Sequence, residues 1–187
     1  MPDRREINLD LWKNRDVFEE INLQTENFLN IFSELANLIS LDRLKSIHPY
    51  SKGMKISKGN QLSQCPYQVL DILRDFHPQT GFNIRLLNWF GHGMMIFLHY
   101  APTTAIRFQK TIERISTEFH LSKTSSPWDY SQLILSPDPE QVFDVAIHLS
   151  EFNHVQLFKF ITIEKCSQKT LFILTREVES ILDYHSG

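Results

Sequence analysis

Between Asp16 and Ile39 the apolar residues Phe18, Ile21, Phe28, Phe32, Leu35 and Ile39 recur in helical register, with Thr25 as the one interruption. That is one stripe of a long amphipathic helix. The spacing predicts a helix lying over the core, with a seam for a partner helix as the alternative. Residues 1–15 read as a loose or partly helical arm. The turn-rich "HPYSKG" falls in a connector over residues 40–53.

Further on, the pattern alternates between strand-like and helix-like runs. A short strand is expected within Met54–Leu62, then a helix from Pro66 to Phe76 that stops at "HPQTG". The run "FNIRLLNWFGHGMMIFLHY" predicts a hairpin with Gly91-His92-Gly93 as a three-residue loop. With that loop Leu87 faces Phe97 and Arg85 faces His99. Both faces of the hairpin are largely apolar, so it belongs mid-sheet or over a pocket. A helix with Phe108, Ile112, Ile115 and Phe119 on one face follows Pro102, and the polar residues 120–128 mark a boundary. Beyond it we expect a strand at Tyr130–Leu135, a helix from Pro139 to Ser150, strands at Val155–Ile163 and Thr170–Leu174, and a closing helix at Arg176–Tyr184. The run "VQLFKFITI" fits a buried helix nearly as well as a strand.

One segment occurs twice. "LSQCPYQVLDI" (62–72) returns 73 residues later as "LSPDPEQVFDV" (135–145), with six of eleven positions identical. In the second copy Asp138 is suited to cap a helix, Pro139 to its first position and Gln141 to closing a capping box. Two readings stand: convergence on good capping chemistry, or an internal duplication. The duplication predicts an α+β fold of two β-α-β-β-α repeats, forming a mixed or antiparallel sheet covered by helices on one face, plus the long N-terminal amphipathic helix. The organisation is then residues 1–52 as arm and helix, 53–120 as the first repeat and 129–187 as the second, in one compact domain with a cleft between the repeats. Such an order is similar to that of gyrase-inhibitor-like and SOUL-type haem-binding folds, which hold small ligands in a cleft. The likeness is of element order, without a shared motif.

Composition narrows the function classes. The 187 residues are 42% hydrophobic and 22% charged, enough for a core that needs no metal or disulfide. Net charge is −3 and no Lys/Arg block occurs, which argues against nucleic acid as a partner. Two cysteines, Cys65 and Cys166, make no disulfide framework and fit a reducing compartment. No apolar run approaches the ~20 residues of a membrane span, and the charged first residues hold no signal core. The expectation is a cytoplasmic, soluble protein without a membrane partner.

Candidate chemistry is sparse. Cys65 precedes the expected helix at Pro66, where the positive helix end enriches the thiolate, and His92 or His99 could serve as its base. Arg85 and His99 share a face with Leu87, Trp89, Met95 and Phe97. A cation there needs either an internal partner, Asp71 or Asp75, or an anionic ligand. The candidate ligand-binding set is therefore Arg85, Trp89, Phe97, His99 and Cys65. The eight histidines show no metal-ligand spacing, so no metal and no cofactor are expected. No phosphate-binding glycine loop, nucleophile elbow or carboxylate pair stands out. The reading is a non-catalytic module that binds a small apolar or anionic ligand, or a partner protein, in the cleft. Its alternatives are a thiol-dependent enzyme using Cys65 and His99, and an interaction protein that pairs through the first helix.

Overall fold

The computed structural model describes residues 6–135 and 144–186. Three helices come first: α1 (Leu9–Lys13), α2 (Arg15–Leu38) and α3 (Leu41–Ile47). Asn8, Asn14 and Ser40 cap them, each accepting a bond from the amide three residues on. Four consecutive strands follow, β1 (Lys55–Leu62), β2 (Cys65–Asp75), β3 (Phe82–Trp89) and β4 (Gly93–Tyr100). Helices α4 (Pro102–Arg107) and α5 (Gln109–Ile115) lead to a two-residue strand, β5 (His120–Leu121). The chain then forms α6 (Tyr130–Leu135), α7 (Val145–Phe152), β6 (Val155–Ile161) and α8 (Ser167–His185). All strand pairs are antiparallel, and the order across the six-stranded sheet is β1-β2-β3-β4-β6-β5.

The segment expected to open a helix at Pro66 is a strand. Ser63 and Gln64 both adopt positive φ, 45° and 68°, between the paired residues Leu62 and Cys65. Two such residues make the tight turn whose twist suits a hairpin, so the chain reverses into β2 instead of coiling. Pro66 cannot donate to the ladder. Opposite it, β1 carries the register shift between Gly59 and Leu62, and a bulge there removes the need for a donor. At the far end of β2 the "HPQTG" turn does stop the element. A Cβ on Gly81 would lie 2.5 Å from the His77 carbonyl oxygen and 2.6 Å from that of Asp75, so the close backbone approach requires glycine.

Two further expectations fail, and a third falls largely outside the described residues. Tyr130–Leu135 is helix α6, entered through the Asp129 carboxylate, which accepts from the Gln132 amide. Thr170–Leu174 is no strand but part of α8, where Thr170, Leu174, Val178, Ile181 and His185 are buried at helical spacing. The expected cap at Asp138 and helix start at Pro139 lie outside the described residues; α7 starts at Val145, with the Asp144 carboxylate accepting from Ala146 and Ile147. The two β-α-β-β-α units therefore do not appear among the described residues. Among the described residues, 53–120 contribute β1 to β4 and the first residue of β5, whereas 129–187 contribute one strand, β6.

The sheet carries apolar side chains on both faces. Leu70, Ile84, Leu86, Ile96, Leu98 and Leu157 meet Phe32 and Leu35 of α2, Leu44 of α3 and Leu174 and Val178 of α8 in the main core. On the opposite face Val69, Leu87, Trp89, Met95, Phe97 and Phe158 pack with Tyr130 of α6. Helices thus cover one face and a loop with a short helix covers part of the other, which corrects the one-sided layering expected above. The polar residues 122–128 are part of that second cover. Ser122 donates to the Gln156 carbonyl at 2.8 Å, and the Gln156 side chain donates to the Pro127 carbonyl at 2.8 Å.

Candidate functional site

The second face of the sheet gathers most of the polar side chains singled out from the sequence. The hairpin loop is Phe90-Gly91-His92, because Trp89 pairs with Gly93. Relative to a loop one residue later, each partner moves by two: Arg85 pairs with Phe97, and His99 with Asn83. A shift of two leaves every side chain on its face, so Arg85, Leu87, Trp89, Met95, Phe97 and His99 still point the same way.

Arg85 is held from within the chain. Asp71 is its cross-strand partner on β2. Arg85 Nε donates to Asp71 Oδ1 at 2.7 Å and Nη2 to Oδ2 at 3.1 Å, a bidentate pair, while Nη1 donates to the Tyr130 hydroxyl at 2.6 Å. Asn83 donates a further bond to Asp71 Oδ1 at 3.1 Å. The guanidinium lies 5.1 Å from the Trp128 ring centroid and 5.9 Å from that of Phe76. Burial raises the Tyr130 phenol pKa, an effect that Arg85 partly offsets. Of the two roles weighed for Arg85, the internal ion pair with Asp71 is present, and Trp89 and Phe97 beside it are buried. Trp89 is fixed by its Nε1 bond to the Leu62 carbonyl at 2.9 Å.

Next to this pair sits a cluster of neutral histidines. His99 and His154 rings are 5.4 Å apart, and Trp128 lies 5.7 Å from His99. Burial lowers the His99 pKa to about 4, helped by His154 and Arg85. His148 is likewise lowered to about 4 by burial and then by His154. His154 donates Nδ1–H to the Phe152 carbonyl at 2.8 Å, which leaves Nε2 as an acceptor. Among the described residues, His99 Nδ1, His154 Nε2 and Gln156 Oε1 are buried without a hydrogen-bond partner. No group of three or more His, Cys, Asp or Glu among the described residues is arranged to hold a metal ion.

The thiol centre does not assemble with His99; the other base considered, His92, sits in the hairpin loop next to Gly91, where an added Cβ would lie 3.7 Å from Cys65 Sγ. Cys65 opens a strand and has no helix dipole behind it. His99 pairs with Asn83, which pairs with Arg74, nine positions along β2 from Cys65. At about 3.3 Å per position that is ~30 Å, far beyond proton-transfer reach. The helix-start environment belongs instead to Cys166, which the sequence reading passed over. It occupies the N-cap of α8, is exposed, and its thiol pKa is lowered by the backbone amides of Lys169 and Gln168. Iodoacetamide at neutral pH is therefore expected to label Cys166 well before the half-buried Cys65. Peptide mapping of the time course checks this, and equal or faster labelling of Cys65 contradicts it.

Several exposed apolar residues lie in the N-terminal arm. A 24-residue helix is ~36 Å long, against ~27 Å for the eight-residue β1 and ~37 Å for the eleven-residue β2 beside it. Its C-terminal half buries Ile31, Phe32 and Leu35. The start of α2, and α1 before it, carry apolar residues that are largely uncovered. Leu9 and Leu11 are 53% and 50% exposed, Trp12 70%, Val17 37% and Phe18 49%. Residues 1–26 carry Asp3, Glu6, Asp10, Asp16, Glu19, Glu20 and Glu26 against Arg4, Arg5, Lys13 and Arg15, a net −3 in a chain whose total is −3. The sequence showed the stripe; what it lacked was the point where the body of the protein ends beneath it.

No helix among the described residues is long and apolar enough to cross a membrane. Compared with protein-family models, curated proteins and solved structures, the chain matches none.

Proposed function

We propose that the chain is a non-catalytic module that binds a partner protein through its N-terminal arm, α1 and the first half of α2. The reading is carried by the uncovered apolar run Leu9, Leu11, Trp12, Val17 and Phe18. Scattered apolar residues on a surface are ordinary, but five exposed ones within ten positions on two successive helices mark an interaction site. The occupant is a different protein, not a second copy. Self-pairing would set a net −3 segment against its own like, and juxtaposed like charge opposes association. Free thiols at Cys65 and Cys166 suit work in a reducing compartment. The sheet's second face gives less support to a small ligand, because Asp71 and Tyr130 already take up Arg85.

In cells that make the protein, the tagged chain is expected to co-purify with one partner in stoichiometric amount. Trp12→Asp combined with Phe18→Asp is expected to abolish the association while moving stability by only about 0.5 kcal/mol per site, since both residues are exposed. Phe172→Asp on α8, equally apolar and 62% exposed, is expected to retain the partner. Light scattering on the purified chain is expected to give a monomer. A dimer that Phe18→Asp dissolves would transfer the arm to self-association, and retention of the partner by the arm variant would remove the proposal.

A further inference from the structure

The arm does not end in open surface. Val17, Ile21, Gln24, Phe28 and Ile31 follow one another at steps of four and three, a single line along α2. Its first members are exposed or half-buried and its last, Ile31, is buried. Where it meets the body, a groove of about 280 Å³ opens between α2 and the connection from β6 to α8. Gln24, Asn27, Phe28, Ile31, Ile163 and Thr170 are among its walls. That volume is below the ~300–1,000 Å³ of sites for whole small molecules and suits one large apolar side chain of a bound segment. Anchors of this kind, seated in a pocket and ringed by polar contacts, dominate most protein interfaces.

Resting on the arm reading above, we infer that the partner's docking segment is a cationic amphipathic helix. It lies along Val17 and Ile21 with basic residues toward the arm's acids, and it seats one bulky apolar side chain between Phe28 and Ile163. The helical form follows from the straight, three-and-four-spaced track it must match. The positive charge follows from the acids next to that track on α2, Asp16 and Glu20, while Arg15 is engaged by Glu19, and Glu164 and Lys165 at the groove offset one another. The apolar anchor follows from Phe28, Ile31 and Ile163, which present carbon to the groove.

The test uses the full chain and two fluorescent peptides of about 18 residues, ~27 Å of helix. Both carry the same leucine stripe, one flanked by lysine and the other by glutamate. Anisotropy is expected to show binding of the lysine peptide only, weakening as salt screens the charges. Trp12→Asp with Phe18→Asp is expected to abolish it. Asn27→Trp, which fills the groove, is expected to weaken it roughly tenfold, the size of a lost anchor, with the circular dichroism spectrum unchanged. Binding that the arm variant abolishes but Asn27→Trp leaves intact overturns the anchor seat while the arm reading stands. Equal binding of both peptides overturns the charge assignment. If neither peptide binds, the inference falls, and the co-purification result judges the arm reading by itself.

Discussion

Replacing Arg85 with methionine is expected to destabilise the fold by about 3–5 kcal/mol, the usual cost of leaving a buried charge without its partner. Asp71 is 4% exposed, and with the guanidinium gone only Asn83 remains to satisfy it from its side-chain contacts. The Tyr130 hydroxyl and the Trp128 ring lose their contact with the cation at the same time, which loosens the cover over the second face. For a chain of this size each kcal/mol moves Tm by roughly 2–4 °C, so the expected drop is roughly 6–20 °C. Urea unfolding measures the free energy directly. Combining Arg85→Met with Asp71→Leu is expected to recover most of the loss, because the pair as a whole contributes far less than either half left alone. A single variant within 1 kcal/mol of the native chain would show that the carboxylate is satisfied elsewhere.

Acid is expected to weaken the protein over a defined window. His99, His148 and His185 all have pKa values lowered to about 4 by burial. The unfolded chain titrates these imidazoles near 6.5 and the folded chain near 4, so between those values the unfolded state binds more protons. Stability is therefore full above about pH 6.5 and falls as the pH drops toward 4. His185 shows the cause most plainly. It is 3% exposed, donates Nδ1–H to the Ile181 carbonyl and accepts the Tyr100 hydroxyl proton on Nε2 at 2.9 Å, and burial away from water disfavours the charged ring. A shift of that size corresponds to ~3 kcal/mol for one such group, a large share of the ~5–15 kcal/mol that domains possess. Urea midpoints at pH 7, 6, 5 and 4 are expected to fall steadily, and His185→Gln is expected to flatten the lower part of the curve. A midpoint that holds or rises as the pH falls would contradict the burial of these rings as neutral groups.

The sequence made the apolar faces legible and left the turns that connect them obscure. Face assignment in the β3–β4 hairpin survived a loop displaced by one residue, because strand parity depends on alternation alone. The Pro66 segment was misread because its proline and glutamine satisfy a helix-start pattern, while the deciding residues, Ser63 and Gln64, are not typical positive-φ types. In α8, "TLFIL" is too short for its own period to separate helix from strand; the buried spacing from Thr170 to His185 becomes visible only across four turns. The repeated segment shows how little a short similarity constrains: its first copy is a strand entry, and most of its second copy lies outside the described residues. The candidate site was legible in part. Arg85 had been weighed between an internal carboxylate and a ligand, and Asp71 across the strand takes it. The exposed arm could not be seen in the pattern, since a stripe of Phe18 and Ile21 reads alike whether or not a sheet lies under it.

A photo-reactive phenylalanine analogue placed at position 18, with a control at position 172, tests the central claim most directly. The account predicts one discrete cross-linked partner from position 18, lost on adding Trp12→Asp, and none from position 172. Cross-linking from both positions alike, or from position 172 alone, would contradict it.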